Sequence, residues 1–278
     1  MNDSELQKAI NESGFPLQLG LQQLVSGVRG WKTILAEHPW KDPLSSEEKF
    51  IDLVLQQGQD YPVRLVLECK RARDTEWLFL REPSTYPGRD ERLKVRARIV
   101  VRHGGGNINQ WIDVPFVPGS PEAGYCVIRK NKQRSQELLE RTAAEVVRAT
   151  DCLAQQETVI YEGDGSALPD PRRNFRRVYV PVIVTTARLF ICDAEYEELD
   201  VQAGEIGGLV ASEVASVRFM KTLVSFDPRQ SSAQSIEEFS TQSERSIVVV
   251  QAAHFLSFLR GFQLGSNMRG ELRSALLG

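Results

Sequence analysis

Residues 50–70, FIDLVLQQGQDYPVRLVLECK, consist of two apolar stretches separated by a polar one that contains Gly58. Successive side chains of a β-strand point to opposite faces, and this alternation predicts strands over 50–55 and 63–70 that are joined by a hairpin. One face of each strand is entirely apolar, whereas Asp52, Glu68 and Lys70 fall on the opposite faces. The stretch therefore predicts a central hairpin that carries two acids and a lysine.

The segments around this hairpin alternate between helical and extended patterns. Apolar residues recur at helical spacing from Pro16 until Gly30, and a second helix is predicted over 133–154. A short strand is predicted over 31–36, ended by His38-Pro39, and β-branched residues predict two more strands over 178–184 and 189–192. These elements predict an α/β protein with a central mixed β-sheet flanked by helices.

Other segments extend this core. A strand is predicted over 77–80, and a hairpin inserted at about 94–116 is predicted to turn at three consecutive glycines. A mobile loop is expected over 227–244, which is rich in Ser and Gln, and a final helix has Phe255 and Leu259 on one face. No linker or repeat is evident, so we expect one elaborated domain over 1–278, in which 178–278 completes or extends the sheet.

The two acids and the lysine have a chemical meaning beyond their place in the hairpin. Glu68 and Lys70 are two apart and project to one side, and Asp52 projects from the neighbouring strand. Neighbouring carboxylates repel each other unless a cation joins them, and their hard oxygen atoms suit Mg²⁺ or Mn²⁺. A divalent ion activates water and neutralises phosphate charge, while a lysine can stabilise the transition state. The hypothesis is a metal-dependent phosphodiester hydrolase with Asp52, Glu68 and Lys70 as catalytic residues.

Two alternative interpretations bear on this hypothesis. Glu47-Glu48-Lys49 matches the same short pattern, but it lies in a polar stretch rather than at the end of an apolar strand. The three residues of the hairpin could also be ordinary charges at a strand end, with Glu68 and Lys70 as an ion pair. Small-molecule catalysis is disfavoured, because the chain has no Gly-rich phosphate loop, nucleophile elbow or H-E-x-x-H segment.

Composition restricts the partners and the compartment. With 34 Lys and Arg against 37 Asp and Glu, no global basic field attracts nucleic acid, so contacts must be local. The four cysteines form no C-x-x-C pair and the three histidines share no ligand spacing. No stretch is apolar enough for a signal peptide or a bilayer crossing, so we expect a cytoplasmic protein with no membrane contact.

Two basic clusters are candidates for contacts with phosphates, namely Arg129, Lys130, Lys132 and Arg134, and Arg172, Arg173, Arg176 and Arg177.

The order helix, strand, strand with Asp, hairpin, strand ending in Glu-x-Lys, helix and strand resembles the PD-(D/E)xK nuclease superfamily, particularly its Mrr-like restriction-endonuclease branch. The resemblance is clearest over residues 12–71 and is carried by 12–18 (ESGFPLQ), 30–32 (GWK), 50–54 (FIDLV) and 65–70 (LVLECK). It implies a restriction-endonuclease-like core and a Mg²⁺-dependent endonuclease. The expected partner is nucleic acid, with DNA as substrate and a role in restriction or defence.

The resemblance also implies further ligands and shows departures. It implies a metal ligand in the backbone carbonyl of Cys69, whose thiol would face the apolar side. Relatives often carry a glutamate on the first helix, where this chain has Gln18, which could hydrogen-bond a metal-bound water. Glu12 or Glu37 could supply the missing acid, and Ile51 replaces the proline that often precedes the aspartate.

Two questions remain open from the sequence. One is whether the chain is catalytic or is an inactive nuclease-fold protein that binds nucleic acid or protein. The other is the source of specificity, because no recognition module accompanies the core. A second copy of the chain in a homodimer, or a partner protein, is the alternative to readout by the inserted hairpin.

Overall fold

A computed structural model describes residues 3–58, 62–81, 94–103, 106–130, 133–134, 137–162, 175–193, 197, 199–223 and 233–264. The helices are α1 (Asp3–Glu12), α2 (Phe15–Ser26), α3 (Glu137–Glu162), α4 (Ile236–Ser243) and α5 (Phe255–Gly261), with a 3-10 turn at Ala252–His254. The strands are β1 (Trp31–Lys41), β2 (Glu48–Gln57), β3 (Val63–Lys70), β4 (Thr75–Leu80), β5 (Lys94–His103), β6 (Gly106–Val117), β7 (Glu122–Ala123), β8 (Tyr125–Lys130), β9 (Gln133–Arg134), β10 (Phe175–Thr185), β11 (Arg188–Asp193), β12 (Leu199–Asp200), β13 (Glu205–Ile206), β14 (Val210–Glu213), β15 (Ser216–Thr222), β16 (Glu244–Gln251) and β17 (Gln263–Leu264).

The main sheet is mixed and has the strand order β1-β2-β3-β10-β16-β15-β7. Strands β1, β2 and β3 form an antiparallel meander, β10 is parallel to β3, and β16 is parallel to β10. The predicted hairpin is present as β5 and β6, and it joins the sheet where β5 pairs with the first half of β10. The prediction of a central mixed sheet flanked by helices is confirmed.

Two hydrophobic clusters occupy the two faces of this sheet. Val54, Val66 and Ile183 belong to the cluster that also contains the apolar face of α3. The other cluster contains Leu53 and Leu67 together with side chains of α2 and α5. Residues 178–185 of β10 are buried on both faces, as expected for a central strand of a parallel unit, so most of this segment is a continuous apolar run rather than an alternating one.

Pro39 and Pro181 lie within strands for different reasons. Pro39 was expected to end the first strand, but β1 continues to Lys41, and this prediction was wrong. Strand β1 is at the edge of the sheet, where a residue without an N–H group is tolerated. Pro181 lies in the central strand β10, between the residues that pair with β5, which end at Tyr179, and those that pair with β16, which begin at Val182.

Three other local predictions need correction. Helix α3 begins at Glu137 rather than at residue 133, because residues 133–134 pair with β8 as β9. The expected mobile loop contains α4, which begins where the Ser235 side chain accepts a hydrogen bond from the Glu238 N–H; residues 224–232 lie outside the described residues. Ile51 packs on the α3 side, unlike Leu53, so the alternation of β2 shifts at Asp52.

The C-terminal part contributes to both sheets. Strands β10, β15 and β16 lie in the main sheet, whereas β11 and β14 lie in a second sheet with the order β14-β11-β4-β8-β9. The pair β12 and β13 stands apart from both sheets. Within the described parts of the chain, no helix combines the length and apolar character that crossing a membrane would need.

Candidate functional site

The pairing of β2 with β3 ends at Leu53 and Leu67, one position before the predicted acids. Beyond this point the main-chain hydrogen bonds between the two strands are replaced by one from a side chain: the Asp52 Oδ2 accepts a hydrogen bond of 2.6 Å from the Cys69 N–H. Strand β3 continues against β10, with Glu68 opposite Ile183 and Lys70 opposite Thr185. The end of the hairpin ladder therefore brings Asp52 next to the Glu68-Cys69-Lys70 segment.

Glu68 and Lys70 are joined directly. The Lys70 Nζ lies 2.6 Å from the Glu68 Oε1, and the two side chains are 30% and 18% exposed, in that order. This ion pair is what the alternative interpretation of a charged strand end predicts. That interpretation takes Asp52 as a charge at the sheet edge, whereas its carboxylate accepts the Cys69 N–H between β2 and β3. A lysine held on the same side as two acids can also approach a bound phosphate.

Gln18 reaches this group from α2. It is 6% exposed, and its Nε2 donates to the Glu37 Oε1 at 2.6 Å and to the main-chain oxygen of Asp52 at 2.8 Å. Glu37 lies opposite Asp52, between the pairs Ala36 with Leu53 and His38 with Ile51. Of the two acids considered as substitutes for Gln18, Glu37 is therefore adjacent to the site, whereas Glu12 is an exposed residue at the end of α1.

Burial and like charge disfavour ionisation of the two central acids. Burial raises the pKa of Asp52 to about 7, with a further contribution from the Glu68 charge, against the lowering effect of the Cys69 N–H. Burial also raises the pKa of Glu68, which Lys70 opposes and the charges of Glu145 and Glu37 reinforce. Two acids that are costly to ionise together form a place where a cation is electrostatically favourable.

The thiol and the main-chain carbonyl of Cys69 differ in their suitability as metal ligands. Burial, followed by the charges of Asp52 and Glu68, raises the pKa of the Cys69 thiol, so the sulfur remains protonated and is a poor metal ligand. Its side chain packs partly against the cluster on the α2 side, and the thiol also hydrogen-bonds with Asp52. Only the main-chain carbonyl of Cys69 is then a candidate ligand.

The donor set suits an ion that keeps several of its waters, such as Mg²⁺ or Mn²⁺, better than an ion that needs a closed cage of protein ligands. In the described part of the chain, no group of three or more His, Cys, Asp or Glu residues is arranged to hold a metal ion. Mg²⁺ usually keeps several waters and binds proteins through one or two carboxylates. Asp52, Glu68 and the Cys69 carbonyl match this pattern in number and in oxygen chemistry.

The competing Glu-x-Lys segment has a structural role. Lys49 forms ion pairs with Asp42 and Glu145, at 3.1 Å and 3.0 Å. Glu47 is exposed and hydrogen-bonds to Ser45 within the turn. This segment ties the turn between β1 and β2 to α3, so it offers no second pair of buried acids.

The first basic cluster lies near the site end of the structure. Arg129 is 64% exposed and forms an ion pair with Glu76, which lies in the strand that follows β3. Lys130 and Arg134 lie in β8 and β9, and Lys132 is outside the described residues. The cluster therefore remains a prediction for contacts with phosphates, and its location is compatible with one.

The second basic cluster lies at the opposite end of β10. Arg176 and Arg177 begin this strand, and the Arg177 Nε is 3.9 Å from the Glu157 Oε2; Arg172 and Arg173 are outside the described residues. At ~3.3 Å per residue, Arg177 is roughly 26 Å along β10 from Thr185, the partner of Lys70. One phosphate cannot contact both places, so the structure does not bring this cluster to the acids.

Sequence reasoning missed basic residues that adjoin the acids. Arg71 and Arg73 follow β3 directly, and their turn is held by Thr186, whose N–H donates to the Lys70 carbonyl and whose Oγ1 accepts from the Ala72 N–H. Arg188 is the first residue of β11, the strand that follows β10, and its side chain is 54% exposed. The available signal was the position of Arg71 and Arg73 immediately after Glu-x-Lys.

The chain matches no protein-family model, and no curated protein or solved structure is significantly similar to it. The resemblance in the short motifs therefore gains no support from overall similarity. What speaks for a function is the geometry: two half-buried acids, a lysine and a turn with two arginines at the same end of β3.

Proposed function

We propose that the chain is a divalent-metal-dependent endonuclease that hydrolyses phosphodiester bonds in DNA. One observation carries the proposal: Asp52 meets Glu68-Cys69-Lys70 where the β2–β3 ladder ends, with Asp52 hydrogen-bonded to Cys69 and Lys70 bonded to Glu68. Two acids whose pKa values are raised by burial and that lie next to a lysine have no evident use in packing, but they suit metal-assisted phosphoryl chemistry.

The order and direction of the core elements support the same proposal. Helix α2 is followed by the antiparallel meander of β1, β2 and β3, and α3 is then followed by β10, which pairs in parallel with β3. This is the order on which the resemblance to the PD-(D/E)xK superfamily rests. The long segment between β3 and α3 holds the hairpin of β5 and β6 and part of the second sheet.

Each residue of the site has a role in the proposed reaction. Asp52, Glu68 and the Cys69 carbonyl would hold Mg²⁺ or Mn²⁺, which supplies charge neutralisation and an acidic bound water. Lys70 donates to the scissile phosphate and stabilises the negative charge that develops there. The Cys69 N–H keeps Asp52 oriented between β2 and β3.

The proposed path of the nucleic acid crosses the end of β3. Arg71 and Arg73 follow Lys70, and Arg129 and Arg188, which both form ion pairs with Glu76, extend this basic surface along the second sheet. Arginines of this kind neutralise phosphates without reading sequence, so they account for affinity rather than specificity. We propose a role in restriction or defence, with specificity supplied by the β5–β6 hairpin or by a partner.

A cleavage assay with matched variants tests the proposal. Purified protein is incubated with supercoiled plasmid, single-stranded DNA and RNA in Mg²⁺, Mn²⁺ or EDTA, beside Asp52→Asn, Lys70→Met and the control Glu47→Gln. We expect cleavage that requires metal, is lost in the first two variants and persists in the third. If no substrate is cut and no metal binds, the chain is better explained as a non-catalytic binding module with a nuclease-like fold.

A further inference from the structure

Gln18 is a buried polar side chain on an otherwise apolar helix face. It is 6% exposed, and the next inward residues of α2, Leu21 and Val25, are 2% and 0% exposed. Burying an amide is costly unless its donors are satisfied, and the Gln18 Nε2 satisfies them with the Glu37 carboxylate and the Asp52 carbonyl. Gln18 thus ties a side chain of β1 to the main chain of β2 at one point.

Glu37 has an unusual backbone for a strand residue. Its φ is 48°, in the left-handed region that residues other than glycine seldom adopt, yet its two neighbours in β1 stay paired in register with Leu53 and Ile51 of β2. Its charge is felt by both Asp52 and Glu68. A carboxylate held this way by a buried amide is placed beside the two acids of the proposed metal site.

We propose that Glu37 is a third acid of this site, acting on the metal through a bound water, and that Gln18 is the positioning residue that holds it. This inference rests on the proposed function. A water-mediated contact agrees with the lack of a direct three-ligand group in the described ranges and with the waters that Mg²⁺ retains.

The same geometry explains why residue 18 is an amide. A glutamate at this position would place a like charge within hydrogen-bonding distance of the Glu37 carboxylate, and it would leave the Asp52 carbonyl without its donor. The acid is therefore Glu37 on β1, and the amide that positions it is Gln18 on α2. Exchange of the two residues should therefore restore charge balance that a single Gln18→Glu substitution destroys.

Metal binding and stability together test this inference. Calorimetric titration with Mn²⁺ and Mg²⁺ compares the wild type, Glu37→Gln, Gln18→Glu, the double variant Gln18→Glu/Glu37→Gln, and the control Glu47→Gln, with thermal unfolding in EDTA for each. Glu37→Gln retains a hydrogen-bonding side chain, so we expect an unchanged or higher Tm in EDTA but about tenfold weaker metal binding. Gln18→Glu should lower the Tm in EDTA, and Glu37→Gln in the same chain should raise it again.

The outcomes separate this inference from the proposed function. If the wild type binds metal and cleaves DNA but Glu37→Gln binds metal equally well, the inference is overturned and the nuclease stands. If the wild type cuts nothing but Glu37→Gln binds metal more weakly than the wild type does, the inference is supported and the nuclease is overturned. A wild type that binds neither metal overturns both.

Discussion

The Asp52 carboxylate, one position beyond the last residue pair of the β2–β3 ladder, accepts a 2.6 Å hydrogen bond from the main-chain N–H of Cys69. An acid is thereby held between two strands in surroundings that disfavour its charge. The contact fixes Asp52 relative to Glu68 and Lys70 without using a loop. A site built on strands in this way is positioned more precisely than one built on loops.

The first prediction concerns stability and pH. The pKa of Asp52 is raised from 3.8 to about 7, so between these values the folded protein binds more protons than the unfolded chain, and stability falls as pH rises. Asp52→Asn keeps an oxygen acceptor for Cys69 and removes the charge. We expect the variant to match the wild type near pH 4 and to be more stable at pH 8, measured by urea unfolding in EDTA. Equal pH dependence of the two proteins would refute the raised pKa.

The second prediction concerns metal and stability. An ion that binds only the folded protein stabilises it by about 2.7 kcal/mol at one hundred times its Kd. Mg²⁺ competes with protons for Asp52 and Glu68, so we expect a larger rise in Tm at pH 8 than at pH 5.5. The rise should be lost in Glu68→Gln and retained in Glu47→Gln. An equal rise in both variants would place the ion elsewhere.

The third prediction concerns contacts with nucleic acid. Arg73→Ala should weaken DNA binding by the inactive Asp52→Asn protein and reduce the slope of log affinity against log salt by about one, as expected for one lost phosphate contact. Arg29→Ala is the matched control, because this exposed arginine precedes β1 at the end of the sheet remote from Lys70. Fluorescence anisotropy at several salt concentrations measures both. An equal effect of the two substitutions would argue against a path across the end of β3.

The fourth prediction concerns the fold away from the site. Glu157 of α3 pairs with Arg64 at 2.7 Å and accepts a hydrogen bond from the buried Tyr179 hydroxyl. Glu157→Leu leaves a mostly buried guanidinium and a hydroxyl without this partner, so we expect a loss of about 3 kcal/mol in the free energy of unfolding. Urea unfolding measures the loss, and metal binding should remain unchanged. A loss below about 1 kcal/mol would mean that the charge of Arg64 is satisfied by its other neighbours.

Local patterns in the sequence identified most of the core. The strands around Asp52 and Glu68 were predicted within a few residues, and so were α2 and the hairpin at 94–116, because side-chain period and turn chemistry are properties of contiguous residues. Errors occurred where a neighbour decided the outcome. Pro39 remains in a strand because β1 has an open edge, and residues 133–134 are extended because β8 lies beside them.

The candidate site shows the same division. Asp52, Glu68 and Lys70 could be selected because an apolar strand ending in Glu-x-Lys is visible in one segment. The hydrogen bonds of Gln18 could not be predicted, since its two partners are 19 and 34 residues away in the chain. The placement of Glu37 opposite Asp52 could not be predicted either. The predicted Arg176 and Arg177 look suitable in sequence, but the parallel pairing of β10 with β3 carries them away from Lys70.

The sequence by itself determined the two apolar strands of the hairpin, with Asp52 in one and Glu68-Cys69-Lys70 at the end of the other, and the helix that precedes them. These features follow from rules that act within a few residues. Only the tertiary structure decided which acid stands beside Asp52, which amide holds it, and which arginines share the end of β3. Such pairings depend on strand register and sheet order, and these are set by the burial of side chains that are far apart in the chain.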